Sequence, residues 1–101
     1  MTWVDAADAS LPDESVVAFE VAGTAIALAK VDGAWHAVET WCTHAECPLS
    51  DGWVEESAIR CSCHGSLFDL ATGEVVEGPA EEPVRVFPTR VTGGRVEIEV
   101  A

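Results

Sequence analysis

Four cysteines and three histidines are the residues of this chain best suited to hold a metal. Cys42, Cys47, Cys61 and Cys63 fall in one short window together with His44 and His64, and only His36 lies apart. The order is Cys42-Thr43-His44, then 16 residues, then Cys61-Ser62-Cys63-His64-Gly65-Ser66. Each loop therefore offers one thiolate and one imidazole to a small volume. A dinuclear iron–sulfur centre uses such a set, with two thiolates on one iron and two imidazoles on the other. Zinc accepts the same four donors. Zinc motifs, however, usually pair Cys with Cys and His with His along the chain, so a Cys–His pair repeated in both loops favours iron. Charge counting then gives the chemistry. An all-thiolate 2Fe–2S centre is dianionic when oxidised, and two neutral imidazoles in place of two thiolates make it neutral and easier to reduce. Such centres lie at roughly −150 to +300 mV, against about −400 mV for plant-type ones.

The surrounding pattern is that of strands. Val17, Phe19 and Val21 alternate with smaller or polar residues, Ile26 and Leu28 follow the Gly23-Thr24 break, and Val96, Ile98 and Val100 alternate with Glu97 and Glu99. Asp32-Gly33, Thr72-Gly73 and Gly93-Gly94 punctuate these runs as turns. Helical periodicity is weak throughout, so the residues predict an all-β sandwich or small barrel. The chain's 101 residues suit one domain, 1–101. From 41 to about 79 the strands shorten and Cys, His, Gly and Trp concentrate. That stretch reads as a cluster-holding subdomain carried on a β base made from the two ends of the chain.

Cys42 to Gly52, Cys61 to Asp69 and Gly78-Pro79 resemble the two ligand loops and the covering proline loop of the Rieske family. The resemblance is strongest to the stand-alone ferredoxins of multicomponent aromatic-ring dioxygenase systems. It implies a fold of three small antiparallel sheets, with the cluster at one tip. It implies one [2Fe–2S] cluster on Cys42, His44, Cys61 and His64, with Gly65, Ser66, Phe68 and Pro79 around it and the Ser66 hydroxyl donating to a cluster sulfide. High-potential relatives carry Tyr where this chain has Phe68, so a potential in the lower part of the range is expected. In one branch of the family, cysteines matching Cys47 and Cys63 form a disulfide, and many dioxygenase ferredoxins lack it. A Cys47–Cys63 bridge is expected here, with two buried thiols as the alternative a reducing cytosol would favour.

The formal net charge of −13 excludes nucleic-acid and anionic-membrane partners and suits steering toward basic patches on proteins. The longest apolar stretch, Val21 to Ala29, is far shorter than the roughly 20 residues a bilayer requires, and the start of the chain carries no basic and apolar leader pattern. A cytoplasmic monomer is the expectation. No G-x-G-x-x-G is present, and His36 alone cannot supply a two-histidine mononuclear iron site. The chain therefore reads as an electron carrier and not an enzyme, with a flavin-dependent NAD(P)H reductase and a terminal oxygenase as partners. Three alternatives remain: the small subunit of an assimilatory nitrite reductase, a zinc-holding structural module, and a redox sensor using Cys47 and Cys63. Among other residues, Trp3 and Trp35 are expected in the core and His36 at the surface or satisfied. Trp41 and Trp53 are expected to shield the centre, with Glu46, Asp51, Glu55 and Glu56 edging a docking face or simply solvated.

Overall fold

The structure is a computed structural model that describes residues 2–21, 23–42 and 47–100. Eleven strands account for it: β1 (Thr2–Asp8), β2 (Val16–Val21), β3 (Thr24–Val31), β4 (Ala34–Glu39), β5 (Trp53–Glu55), β6 (Ala58–Arg60), β7 (Leu67–Asp69), β8 (Val75–Glu77), β9 (Val86–Phe87), β10 (Thr89–Thr92) and β11 (Arg95–Val100). The only helical element among the described residues is a 3-10 turn over Leu49–Asp51. No helix among them is long and apolar enough to cross a membrane.

The strands form three antiparallel sheets, ordered β1-β11-β10, β2-β3-β4-β9 and β5-β6-β7-β8. The third sheet is built entirely from residues 53–77, and the other two come from 2–39 and 86–100. The β2-β3-β4-β9 sheet sits between the other two. Strand β3 explains why, since Ile26 through Ala29 are all buried although a strand turns alternate side chains to opposite faces. Ile26 and Leu28 pack with Trp35, Phe87, Val96 and Ile98 on one side. Ala27 and Ala29 pack with Val38, Leu49, Ile59 and Phe68 on the other. Two alanines on that second face let the third sheet approach closely.

The turn at Asp32-Gly33 joins β3 to β4, with both residues at positive φ (48° and 82°) as a tight two-residue hairpin requires. Strand β1 has no strong alternation in sequence, yet it closes the first sheet by pairing Trp3 with Glu99 and Val4 with Ile98. Trp35 is buried as expected. Trp3 is only partly buried, with the Arg90 guanidinium 4.2 Å from its ring centroid.

One contact ties the loop that follows β4 to the third sheet. Gly52 ends the 3-10 turn against the Arg60 carbonyl oxygen, and a Cβ at that position would collide with it. Gly52→Ala should therefore reduce the unfolding free energy by more than about 2 kcal/mol in urea titrations. Gly33→Ala, with open space around the new methyl group, should cost about 1 kcal/mol from left-handed strain alone. Equal costs would contradict the packing described.

Candidate metal centre

The first loop leaves the central sheet at Thr40 and is closed at its neck. Trp41 and Pro48 form an isolated antiparallel bridge, and the Cys42 amide donates to the Cys47 carbonyl at 3.0 Å. Buried Thr40 pins the returning chain, its Oγ1 accepting from the Ser50 amide at 3.1 Å. Of this loop, His44 and Glu46 lie outside the described residues.

The second loop connects β6 to β7. The Cys61 amide donates to the Ser66 carbonyl at 2.8 Å, and the Gly65 amide donates to the Cys61 carbonyl at 3.2 Å. Cys61 through Ser66 are thereby drawn into a compact turn, with His64 exposed on its outside. A disulfide between Cys47 and Cys63, whose Cα atoms are 6.3 Å apart, joins the two loops.

Cys42 and Cys61 are the two free cysteines, and both are buried in the core shared with the central sheet. Burial pushes the Cys61 thiol up from its ordinary value, and the Cys42 side chain adds to this, while hydrogen bonds from the Cys63 and His64 backbone amides act in the opposite sense. Amides directed at sulfur favour the thiolate, which is the form that binds metal. Two adjacent buried sulfurs, one of them met by two amides, and an imidazole on the outer edge of the same turn fit a mixed thiolate–imidazole centre.

Ser66 is fully buried, and its Oγ accepts from the Ala80 amide at 3.0 Å. That bond leaves the hydroxyl proton to point elsewhere, and it draws the chain just after Gly78-Pro79 against the second loop. Phe68 is fully buried in the same core as Cys42 and Cys61, whereas Pro79 is exposed.

One expectation is revised. Trp41 and Trp53 each leave 48% of their surface exposed, so neither is a buried shield. In β5 it is Val54 that turns inward, and strand alternation sends Trp53 out, where its Nε1 donates to Glu55 Oε2 at 2.7 Å. Glu56 sits at the β5–β6 turn beside Asp13, Glu14 and Asp32, at the opposite end of the hairpin from Cys61. Glu55 is held in an ion pair with Arg60, and Asp51 is exposed.

Arg60 was not among the residues expected at the site. Its Nε and Nη2 donate to the two Glu55 oxygens at 2.6 and 2.9 Å, and its Nη1 donates to the Gly65 carbonyl at 2.6 Å. The available signal was that it directly precedes Cys61 and is the only Lys or Arg between positions 41 and 79.

Comparison with known proteins agrees with this geometry. Residues 2–88 match the Rieske [2Fe-2S] domain. The ferredoxin component of the naphthalene 1,2-dioxygenase system of Pseudomonas aeruginosa is 33% identical over 100 residues, covering 98% of this chain and 96% of that protein. Among solved structures, a Sphingomonas yanoikuyae B1 ferredoxin superposes with a TM-score of 0.91 at 29% identity, covering 99% of this chain and 100% of that one. A chain from a complex of reduced oxygenase and oxidised ferredoxin in carbazole 1,9a-dioxygenase gives 0.90 at 28% identity, covering 95% and 91%. A Mycobacterium tuberculosis protein described as a nitrite reductase small subunit gives 0.88 at 26% identity, covering 99% and 96%.

The bridge between the loops has a direct chemical test. Alkylation of the metal-free protein in denaturant without reductant should label Cys42 and Cys61 only, and prior reduction should expose all four thiols to labelling. Closing a loop of this length should stabilise the metal-free protein by about 3 kcal/mol relative to the Cys47→Ser/Cys63→Ser variant. Labelling of all four cysteines without reductant would contradict the bridge.

Proposed function

The chain belongs to the Rieske [2Fe-2S] domain family, and from that premise we propose that it carries single electrons as the ferredoxin component of an aromatic-ring dioxygenase system. In this reading it takes electrons from a flavin-dependent NAD(P)H reductase and delivers them to a terminal oxygenase, acting as a monomer in the cytoplasm. The observation that carries the reading is the match, over nearly the whole length of both chains, to a dioxygenase ferredoxin.

Cys42, His44, Cys61 and His64 are the proposed ligands of one cluster. A [2Fe–2S] cluster held there supplies a one-electron couple. The protein's own residues do the rest. Buried Cys42 and Cys61 hold the inner end of the site away from water. Exposed His64 gives the site an outward edge within reach of a partner surface. Ser66 has a proton to donate inward, and Phe68 brings no hydroxyl, which supports a potential in the lower part of the family range. The subdomain of about 41–79 is proposed as the unit that presents this edge, and Pro79 as part of its rim.

The excess of acidic residues supports protein partners with basic docking faces. The nitrite reductase reading is weaker, because the likeness behind it is structural at 26% identity. Copurification with a large sirohaem protein would favour it.

A reconstituted relay tests the proposal. NAD(P)H, the reductase, this protein and the oxygenase should together turn over an aromatic substrate, and omitting this protein should abolish turnover. The rate of its reduction should fall at least about tenfold between low and high salt, as expected for a steered encounter. Turnover that does not require the protein would contradict the carrier role, and a salt-independent rate would contradict steering.

A further inference from the structure

We propose that Arg60 is a positioning residue that fixes the second ligand loop and thereby sets how tightly the redox centre is held and how easily it is reduced. This rests on the reading of Cys61 and His64 as ligands.

Arg60 ends β6 immediately before Cys61, yet its side chain reaches past the whole Cys61–His64 turn to the Gly65 carbonyl. The turn is therefore closed by two backbone bonds and one guanidinium bond. The Gly65 carbonyl belongs to the peptide that leads into Ser66. In a trans peptide, drawing the oxygen toward Arg60 turns the Ser66 N–H to the opposite face. Arg60 thus orients the peptide between exposed His64 and buried Ser66.

The guanidinium is itself held in place. Its fork grips both oxygens of Glu55, and Glu55 Oε2 also accepts from Trp53 Nε1. Glu77 on β8 approaches at 3.5 Å, so one side chain links β5, β6, β8 and the ligand loop. The side chain is 21% exposed, which leaves it little freedom to move. Lysine cannot reproduce this arrangement, because a single ammonium lacks the planar fork that serves Glu55 and Gly65 at once.

The charge environment gives the position further weight. Between 41 and 79 the acidic residues are Glu46, Asp51, Glu55, Glu56, Asp69, Glu74 and Glu77, and Arg60 is the only Lys or Arg. It pairs with Glu55 and approaches Glu77, so it offsets carboxylates of the sheet that carries the second loop.

Two substitutions that preserve every charge separate positioning from simple electrostatics. Arg60→Lys removes the fork, and Glu55→Asp shortens the anchor by one methylene. In the iron- and sulfide-loaded protein, each should speed loss of iron to a chelator about tenfold, the scale seen when a partner of a metal ligand is removed. Each should also shift the midpoint potential and alter the line shape of the reduced EPR spectrum. Urea stability of the metal-free variants is measured alongside, since a merely structural role would change stability and leave the potential unmoved. Wild-type chelation rate, potential and line shape in both variants would overturn the proposal. If Arg60→Lys does not fold, Glu55→Asp alone decides it by the same readouts. A wild-type protein that takes up no iron and sulfide would instead refute the ligand assignment, on which this inference rests.

Discussion

The buried core that Cys42 and Cys61 share is the constraint on which the rest of the architecture depends. The two sulfurs enter from different loops, and they meet because both loops descend into one core. That core includes Ala27, Ala29 and Val38 of the central sheet and Ile59, Phe68 and Leu70 of the third. Small side chains on the central sheet let the third sheet seat deeply, and the Gly52 contact with the Arg60 carbonyl holds the loops in register. In a chain this short, a core buried on both faces of one sheet is an efficient way to hold a site rigidly.

The site is graded from inside to outside. Its thiols lie in the core, Ser66 and Phe68 are fully buried beside them, and His64 and Pro79 face solvent. This gradient suits electron transfer, where a centre needs protection from water on one side and close approach by a partner on the other. The charge pattern follows the same logic. The chain as a whole is strongly acidic, while the turn that carries His64 is braced by a guanidinium from the strand that feeds it.

Much of this was legible in the sequence because the informative signals are local. The two Cys–His pairs lie close along the sequence, and β2 and β11 show a period of two. Asp32-Gly33 and Gly93-Gly94 turn where their residue types require. What was not legible depends on distant partners. Strands β5 and β6 are three residues each, too short for periodicity to appear. Trp53 looked like a shield because it is near the first loop in sequence, and only the inward turn of Val54 shows that it faces out. Glu56 is near the motif along the chain but sits in the β5–β6 turn, at the far end of the hairpin from Cys61. Arg60 could be flagged by its solitary charge, yet its hold on Gly65 is a property of the folded loop.

The most direct test of the central claim is an EPR spectrum of the purified protein, before and after dithionite reduction, with iron and acid-labile sulfide assayed on the same sample. The account predicts iron and sulfide in equal amounts and a rhombic signal that appears only on reduction, with an average g below the free-electron value. A colourless, EPR-silent protein that holds zinc or no metal, and still does so after reconstitution with iron and sulfide, would contradict it.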